Sequence, residues 1–204
     1  MTGVILRRQY FCICEGQQEE MYMSHLSKLL KTDKRVVKFA TKRGLPGDIV
    51  RVGGFKPDKA VLFDHDGEDT TFRNGLKECL KAKCAYAYSN RNFDLWLLLH
   101  KQYFAQRVST NNAYADLIRN SFNLDKTTKI KNKDTIKIIL DQITLEDVRT
   151  AISRAERIRE HKKHEDGRQE GSAVYYGNPD LYIHEFIKRV FLDCGESLAF
   201  SKAL

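Results

Sequence analysis

Two acids spaced two apart, Asp64 and Asp66, close an apolar run (Ala60, Val61, Leu62, Phe63) in the stretch KAVLFDHDGE at 59–68. Side chains two apart on an extended chain leave on the same face, so these carboxylates would stand side by side. Like charges held that close raise each other's proton affinity unless a cation sits between them. Mg²⁺, which prefers hard oxygen ligands, is the expected ion, with Mn²⁺ as its substitute. A third acid, Glu15, ends a second apolar run, QYFCICE at 9–15, and is followed by Gly16. Such a trio, with no Ser-His-Asp pattern, catalytic thiol or phosphate-cradling Gly loop, points to metal-assisted chemistry on phosphate esters. Taken alone, DHDG reads equally well as an Asp-rich turn after a strand.

The elements that must position these acids follow from periodicity. An apolar run without alternation fits a central strand covered on both faces, and open α/β sheets place their chemistry outside the carboxyl ends of such strands. If the runs at 9–15 and 59–66 are neighbours in one parallel sheet, Glu15 comes beside Asp64 and Asp66. Between them, 17–30 carries Met21, Tyr22, Leu26, Leu29 and Leu30 at helical spacing, with Glu19 and Glu20 in a first turn that suits acids electrostatically. Residues 35–41 read as a strand and 42–54, rich in Gly with Pro46, as a turn or short helix followed by a loop, where Lys42 and Arg43 could face phosphates. A helix at 71–83 (Phe72, Leu76, Leu80) and a strand at 84–88 follow. Asn92 then caps a helix whose run Leu95–Leu99 is apolar all round and therefore buried. Asp94 in its first turn would sit on the same rim as the other acids, or simply complement the helix dipole. His100 would close that helix or reach the site.

The segment 102–140 lacks a strand pattern and is dense in Lys and Asn. It reads as short helices joined by polar loops, an elaboration whose Lys129, Lys131 and Lys133 would contact phosphates; solvated lysines would look the same. A charged helix at 145–164 has a narrow seam of Val148, Ile152, Ala155 and Ile158, and its His161 and His164, without a third ligand, are expected to be exposed. A polar, Gly-rich connector at 166–172 precedes a last helix at 179–193, whose face of Tyr182, Ile183, Phe186, Ile187, Val190 and Phe191 should pack back on the sheet. The expectation is one domain over 1–204, with a core at about 5–100 and a helical elaboration at about 101–170.

The chain carries 35 Lys and Arg against 27 Asp and Glu, a net charge of +8. With an acidic site, that basic excess must lie elsewhere, and a polyanion such as nucleic acid is the expected partner. Five cysteines show neither CxxC pairs nor zinc-ligand spacing, which fits a reducing cytoplasm. No apolar stretch is long enough for a membrane span, and no membrane partner is expected.

Glu15-Gly16 after the first strand and Asp64-x-Asp66 after a later one resemble a Toprim domain, the Mg-binding module of topoisomerases, primases and OLD-type nucleases. More specifically, ICEGQQEEMYM (13–23), FDHD (63–66), YSNRNFDLWLLLH (88–100) and NPDLYIHEFI (178–187) resemble, in order, the RloB (AbiLii-like) family. Gln17 and Gln18 depart from its more usual charged or Thr residues, and Asp94 stands where Glu is usual. The resemblance implies a Toprim-like Rossmannoid fold with a helical elaboration. It implies a Mg-dependent nuclease in which Asp64 and Asp66 hold the ion and Glu15 is the general acid/base or a further ligand. Glu19 or Asp94 would recruit a second ion about 4 Å away. It further implies an effector of bacterial anti-phage, abortive-infection defence, paired with an ABC- or AAA-type ATPase and compatible with a homodimer, acting on RNA, tRNA included, in preference to DNA. Two other readings compete. DHDGE resembles a HAD-type phosphatase motif, with Asp64 as nucleophile, Asp66 as acid/base and Ser89 as a second motif, although Glu68 replaces the usual Thr. A catalytically inert Toprim module that binds nucleic acid or a partner protein is the other.

Overall fold

The computed structural model describes residues 5–52, 58–66, 69–110 and 114–198. Four strands, β1 (Leu6–Cys14), β2 (Arg35–Arg43), β3 (Lys59–His65) and β4 (Ala85–Asn90), form one sheet in the order β2-β1-β3-β4, every pairing parallel. The chain steps outward from β1 to β2, then resumes on the other side of β1 with β3. The strand order therefore reverses between β1 and β3, and crevices for ligands form at the carboxyl ends of such a junction.

The crossover helices lie on opposite faces. On one, α1 (Gln17–Leu29) and α3 (Asp94–Lys101) cover Tyr10, Cys12, Cys14, Ala60, Leu62 and Ala87. On the other, α2 (Asp69–Ala82) and a 3-10 turn (Pro46–Arg51) cover Ile13, Val61, Phe63 and Tyr88. Alternate residues of β1 and β3 thus enter separate cores, as the unbroken apolar runs require. Residues 95–99 of α3 are wholly buried because the sheet lies beneath them and further helices close over them: α4 (Ala115–Ser121), α5 (Lys133–Asp141), α6 (Leu145–Lys162) and α7 (Ile183–Asp193). Burying each such Leu contributes roughly 1.5–3 kcal/mol.

Three local expectations are corrected. β2 continues through Lys42 and Arg43, because its pairing with β1 runs on to Cys14↔Arg43. The polar connector at 166–172 is instead part of a hairpin, β5 (Arg168–Glu170) with β6 (Ala173–Tyr175). It is clipped to α2 by Arg73 Nε to Glu170 Oε2 (2.8 Å) and Arg168 Nη1 to Asp69 Oδ1 (2.7 Å). The last helix begins at Ile183, not 179, because Asp180–Tyr182 run antiparallel along the outer edge of β4: Asn90 N donates to Asp180 O and Tyr182 N to Tyr88 O, both at 2.8 Å. An otherwise open sheet edge is thereby paired. No helix among the described residues is long and apolar enough to cross a membrane.

Candidate functional site

Glu15 follows the last residue of β1, and its backbone extends the ladder by donating to Leu62 O (3.0 Å). Its carboxylate in turn accepts from Asp64 N at 2.9 Å, so the side chain is docked on the end of β3 while remaining exposed. Asp66 is exposed one step beyond the strand, and Asp64, between them, turns Oδ1 into a buried position with no hydrogen-bond partner. Gly67 and Glu68, which complete the motif, lie outside the described residues.

Glu19 completes this rim. The first turn of α1 carries it over the β1–β3 junction, where it is only 3 % exposed and its Oε2 is likewise buried without a partner. Gly16 permits the approach: a Cβ there would stand 2.8 Å from Glu19 Oε2. Behind Glu19 lies Asp94, 1 % exposed, its Oδ1 accepting from Gln18 Nε2 at 2.9 Å and its amide donating to Asn92 Oδ1 at 2.9 Å. Asn92 thus satisfies the first amide of α3 from one residue before the N-cap position, which is Phe93 and not Asn92 as expected.

Three of these carboxyls, Asp64, Glu19 and Asp94, are pushed above the ordinary carboxylate range. Burial, then the charges of Glu19, Glu15 and Asp66, push Asp64 well above the ordinary carboxylate range, with Lys131 opposing. Burial also pushes Glu19 up to about 7, helped by Glu15 and Asp94 and opposed by its own backbone N–H and by Lys131. Asp94 is raised by burial, against the Gln18 hydrogen bond and Lys131. The strongest charge partner of Asp64 is thus Glu19 rather than Asp66, which spacing along β3 alone does not reveal. Two buried, unpartnered carboxylate oxygens among mutually repelling acids are what a divalent cation would relieve. Among the described residues no three His, Cys, Asp or Glu side chains are grouped closely enough to hold an ion by themselves. The rim therefore offers one or two carboxylates, which suits Mg²⁺, an ion that usually keeps several waters and shares its remaining positions with substrate phosphates.

The basic residues divide. Lys129 and Lys131, exposed on the loop before α5, line a cleft of about 460 Å³ together with Asp94 and Arg119. Lys133 opens α5 and Lys42 lies near the end of β2, both exposed. Arg43 differs from expectation, since its Nε binds Glu20 Oε2 at 2.6 Å, which also draws Glu20 away from the acidic rim.

Several other polar residues are structural. Ser89 donates to Asn92 O (2.8 Å) and is buried, so its hydroxyl is not presented as a phosphatase motif would need. His65 stacks on Phe72 (ring centroids 4.0 Å) and contacts Asn90, with burial lowering its pKa. His100 lies against Trp96 O and the Tyr22 hydroxyl, and burial pushes it down to about 4. His161 and His164 are exposed, as predicted. The NPD stretch serves as an anchor: Asp180 accepts from Arg159 Nη1 (2.7 Å), the Tyr88 hydroxyl (2.5 Å) and Tyr176 N (2.8 Å).

On the α2 side of the acids a second cleft, of about 410 Å³, opens between the 3-10 turn and α2. Sequence reasoning missed it. Its one local trace is Gly75 inside a helix, where a Cβ would stand 3.1 Å from both Phe63 and Pro46.

No curated protein and no solved structure matches this chain. A sequence profile described as RloB-like protein matches residues 10–189, a span that holds the acidic rim, both clefts and the anchoring NPD stretch. The chain belongs to the RloB-like family.

Proposed function

We propose that this protein is a Mg²⁺-dependent nuclease that cleaves phosphodiester bonds at the rim formed by Glu15, Glu19, Asp64 and Asp66. The observation that carries the proposal is the pair of buried, unpartnered oxygens, Asp64 Oδ1 and Glu19 Oε2, at the junction where the strand order reverses. Asp64 and Glu19 would hold the ion, Mn²⁺ substituting for it, with Asp66 at the open side to meet its bound waters and Asp94 backing Glu19. When bound, such an ion neutralises a nonbridging phosphate oxygen and makes a nearby water or hydroxyl more acidic. Glu15, exposed yet fixed by the Asp64 amide, is oriented to accept the proton of the attacking water or ribose hydroxyl. Lys129 and Lys131, with Lys133 and Lys42 farther out, would hold flanking phosphates, giving affinity that falls with salt.

The family's resemblance to defence-locus proteins extends the proposal to an effector of anti-phage, abortive-infection defence. It would work in the cytoplasm beside an ABC- or AAA-type ATPase, as a monomer or homodimer, on RNA, tRNA included, in preference to DNA. No observation favours the phosphatase reading, since Ser89 is committed to Asn92 O.

The test is cleavage of end-labelled RNA and DNA by wild type and Asp64→Asn across a Mg²⁺ titration. Wild type should cut only with the divalent ion, and the variant should lose about 100-fold or more in rate. Cutting that survives chelation, or an unimpaired Asp64→Asn, would overturn the proposal.

A further inference from the structure

The 410 Å³ cleft beside the acids carries chemistry that a metal rim does not need. Glu15, Asp64 and Asp66 form its mouth, and Pro46, Phe63 and Phe72 supply apolar walls. Leu45 is 69 % exposed and packs into neither core, yet it lines this cleft. Asn74 and Glu78 also line it, and being four apart on α2 they share one face of that helix. Among the described residues neither has a hydrogen-bond or ion-pair partner, and Glu78 is half-buried. Glu78 lies seven residues beyond Thr71, which stands near the mouth, so it is set back by roughly 10 Å along the helix.

A space with acids at the mouth, apolar sides and, farther along α2, exposed Asn74 beside half-buried Glu78 matches a nucleotide whose phosphate stays at the rim while its base enters. The volume is at the small end of ligand sites, suited to one nucleoside rather than a peptide. An ionised carboxylate is acceptor-only and takes two parallel N–H bonds well. Only guanine presents two adjacent N–H donors, N1–H and N2–H, on its Watson–Crick edge, with O6 beside them for the Asn74 amide. Reading a splayed-out base by its Watson–Crick edge between apolar side chains is how enzymes acting on unpaired nucleotides select them.

We propose that the cleft between the 3-10 turn and α2 is a base-specificity subsite that takes one unpaired guanine of the strand being cut, with Glu78 accepting from N1–H and N2–H and Asn74 donating to O6. The direction of entry rests on the nuclease reading; the base recognition itself does not. Guanosine, adenosine, cytidine and uridine, titrated into the full chain carrying Asp64→Asn and followed by amide chemical shifts without divalent ions, test the subsite separately from cleavage. Guanosine should bind at least about tenfold more tightly than the other three. Glu78→Gln should remove that preference, because an amide offers one acceptor and one donor in place of two acceptors. Leu45→Ala, at an exposed position that leaves folding intact, should weaken all four nucleosides alike. Equal binding of the four, or a guanosine preference untouched by Glu78→Gln, would overturn the subsite. If guanosine does not bind while wild type still cuts with Mg²⁺, the subsite falls and the nuclease stands. If guanosine binds selectively and no nucleic acid is ever cut, the nuclease reading falls and the guanine site remains.

Discussion

Replacing Glu19 by glutamine keeps the shape of the side chain and removes one of the two charges that burial and neighbouring acids oppose. The fold raises the Glu19 carboxyl from 4.5 to about 7, a difference that corresponds to a penalty on the order of 3 kcal/mol on its ionised form. The folded pKa is raised, so the stability linked to this group is fully present below pH 4.5 and lost as the pH climbs through about 7. Ion-free wild type therefore carries nearly the whole penalty at pH 8 and only about a quarter of it at pH 5. The variant carries none at either pH. Allowing about 1 kcal/mol for an imperfectly paired buried amide, Glu19→Gln should be more stable than wild type by about 2 kcal/mol at pH 8. For a chain of this size that is a rise in Tm of about 4–8 °C, shrinking towards zero at pH 5. Thermal melts in chelator at the two pH values read this directly. Repeating them with Mg²⁺ should raise wild type far more than the variant, since the ion relieves a charge the variant lacks. A variant that melts below wild type at pH 8, or a difference that ignores pH, would refute the assignment of strain to this rim.

Other outcomes follow from neighbouring parts of the molecule. Lys131→Ala should weaken nucleic-acid binding about equally for all sequences and reduce the slope of log affinity against log salt by about 1, measured by fluorescence anisotropy; an unchanged slope would remove Lys131 from the phosphate contacts. Asp180→Ala takes the buried carboxylate from the half-buried Arg159 guanidinium and the acceptor from the Tyr88 hydroxyl, and should cost about 3–5 kcal/mol in urea unfolding; a loss under about 1 kcal/mol would show that the anchor is dispensable. His100, pushed down to about 4, should stay neutral by NMR at pH 5.5, and its share of the stability, complete above pH 6.5, should be lost as the pH falls towards 4.

Much of the framework was legible from local pattern. The apolar runs ending in Glu15 and in Asp64 and Asp66 are buried strands, and they are neighbours, because continuous apolarity demands cover on both faces and a parallel sheet supplies it. The all-apolar turn of Leu95–Leu99 is a buried helix for the same reason. Errors arose where one reading of local composition competed with a distant partner. Asn178–Asp180 look like a helix start, yet the chain from Asp180 to Tyr182 pairs with β4 some 90 positions earlier. Gly and polar residues at 166–172 look like a connector, yet ion pairs to α2 hold them as a hairpin. Arg43 looks available for phosphate until Glu20, one helix away, neutralises it.

Residue order alone, then, determined that acids would stand at the ends of adjacent buried strands, since the periods of side-chain direction and hydrophobicity are properties of a few consecutive residues. Tertiary structure alone decided that Glu19 is Asp64's strongest rival in charge, that Gln18 pins Asp94 behind it, and that the Pro46 turn closes on Gly75 of α2 while leaving a cleft beside it. Those arrangements depend on how helices seat over a sheet. Desolvation and close approach arise only when segments far apart in the chain exclude water together.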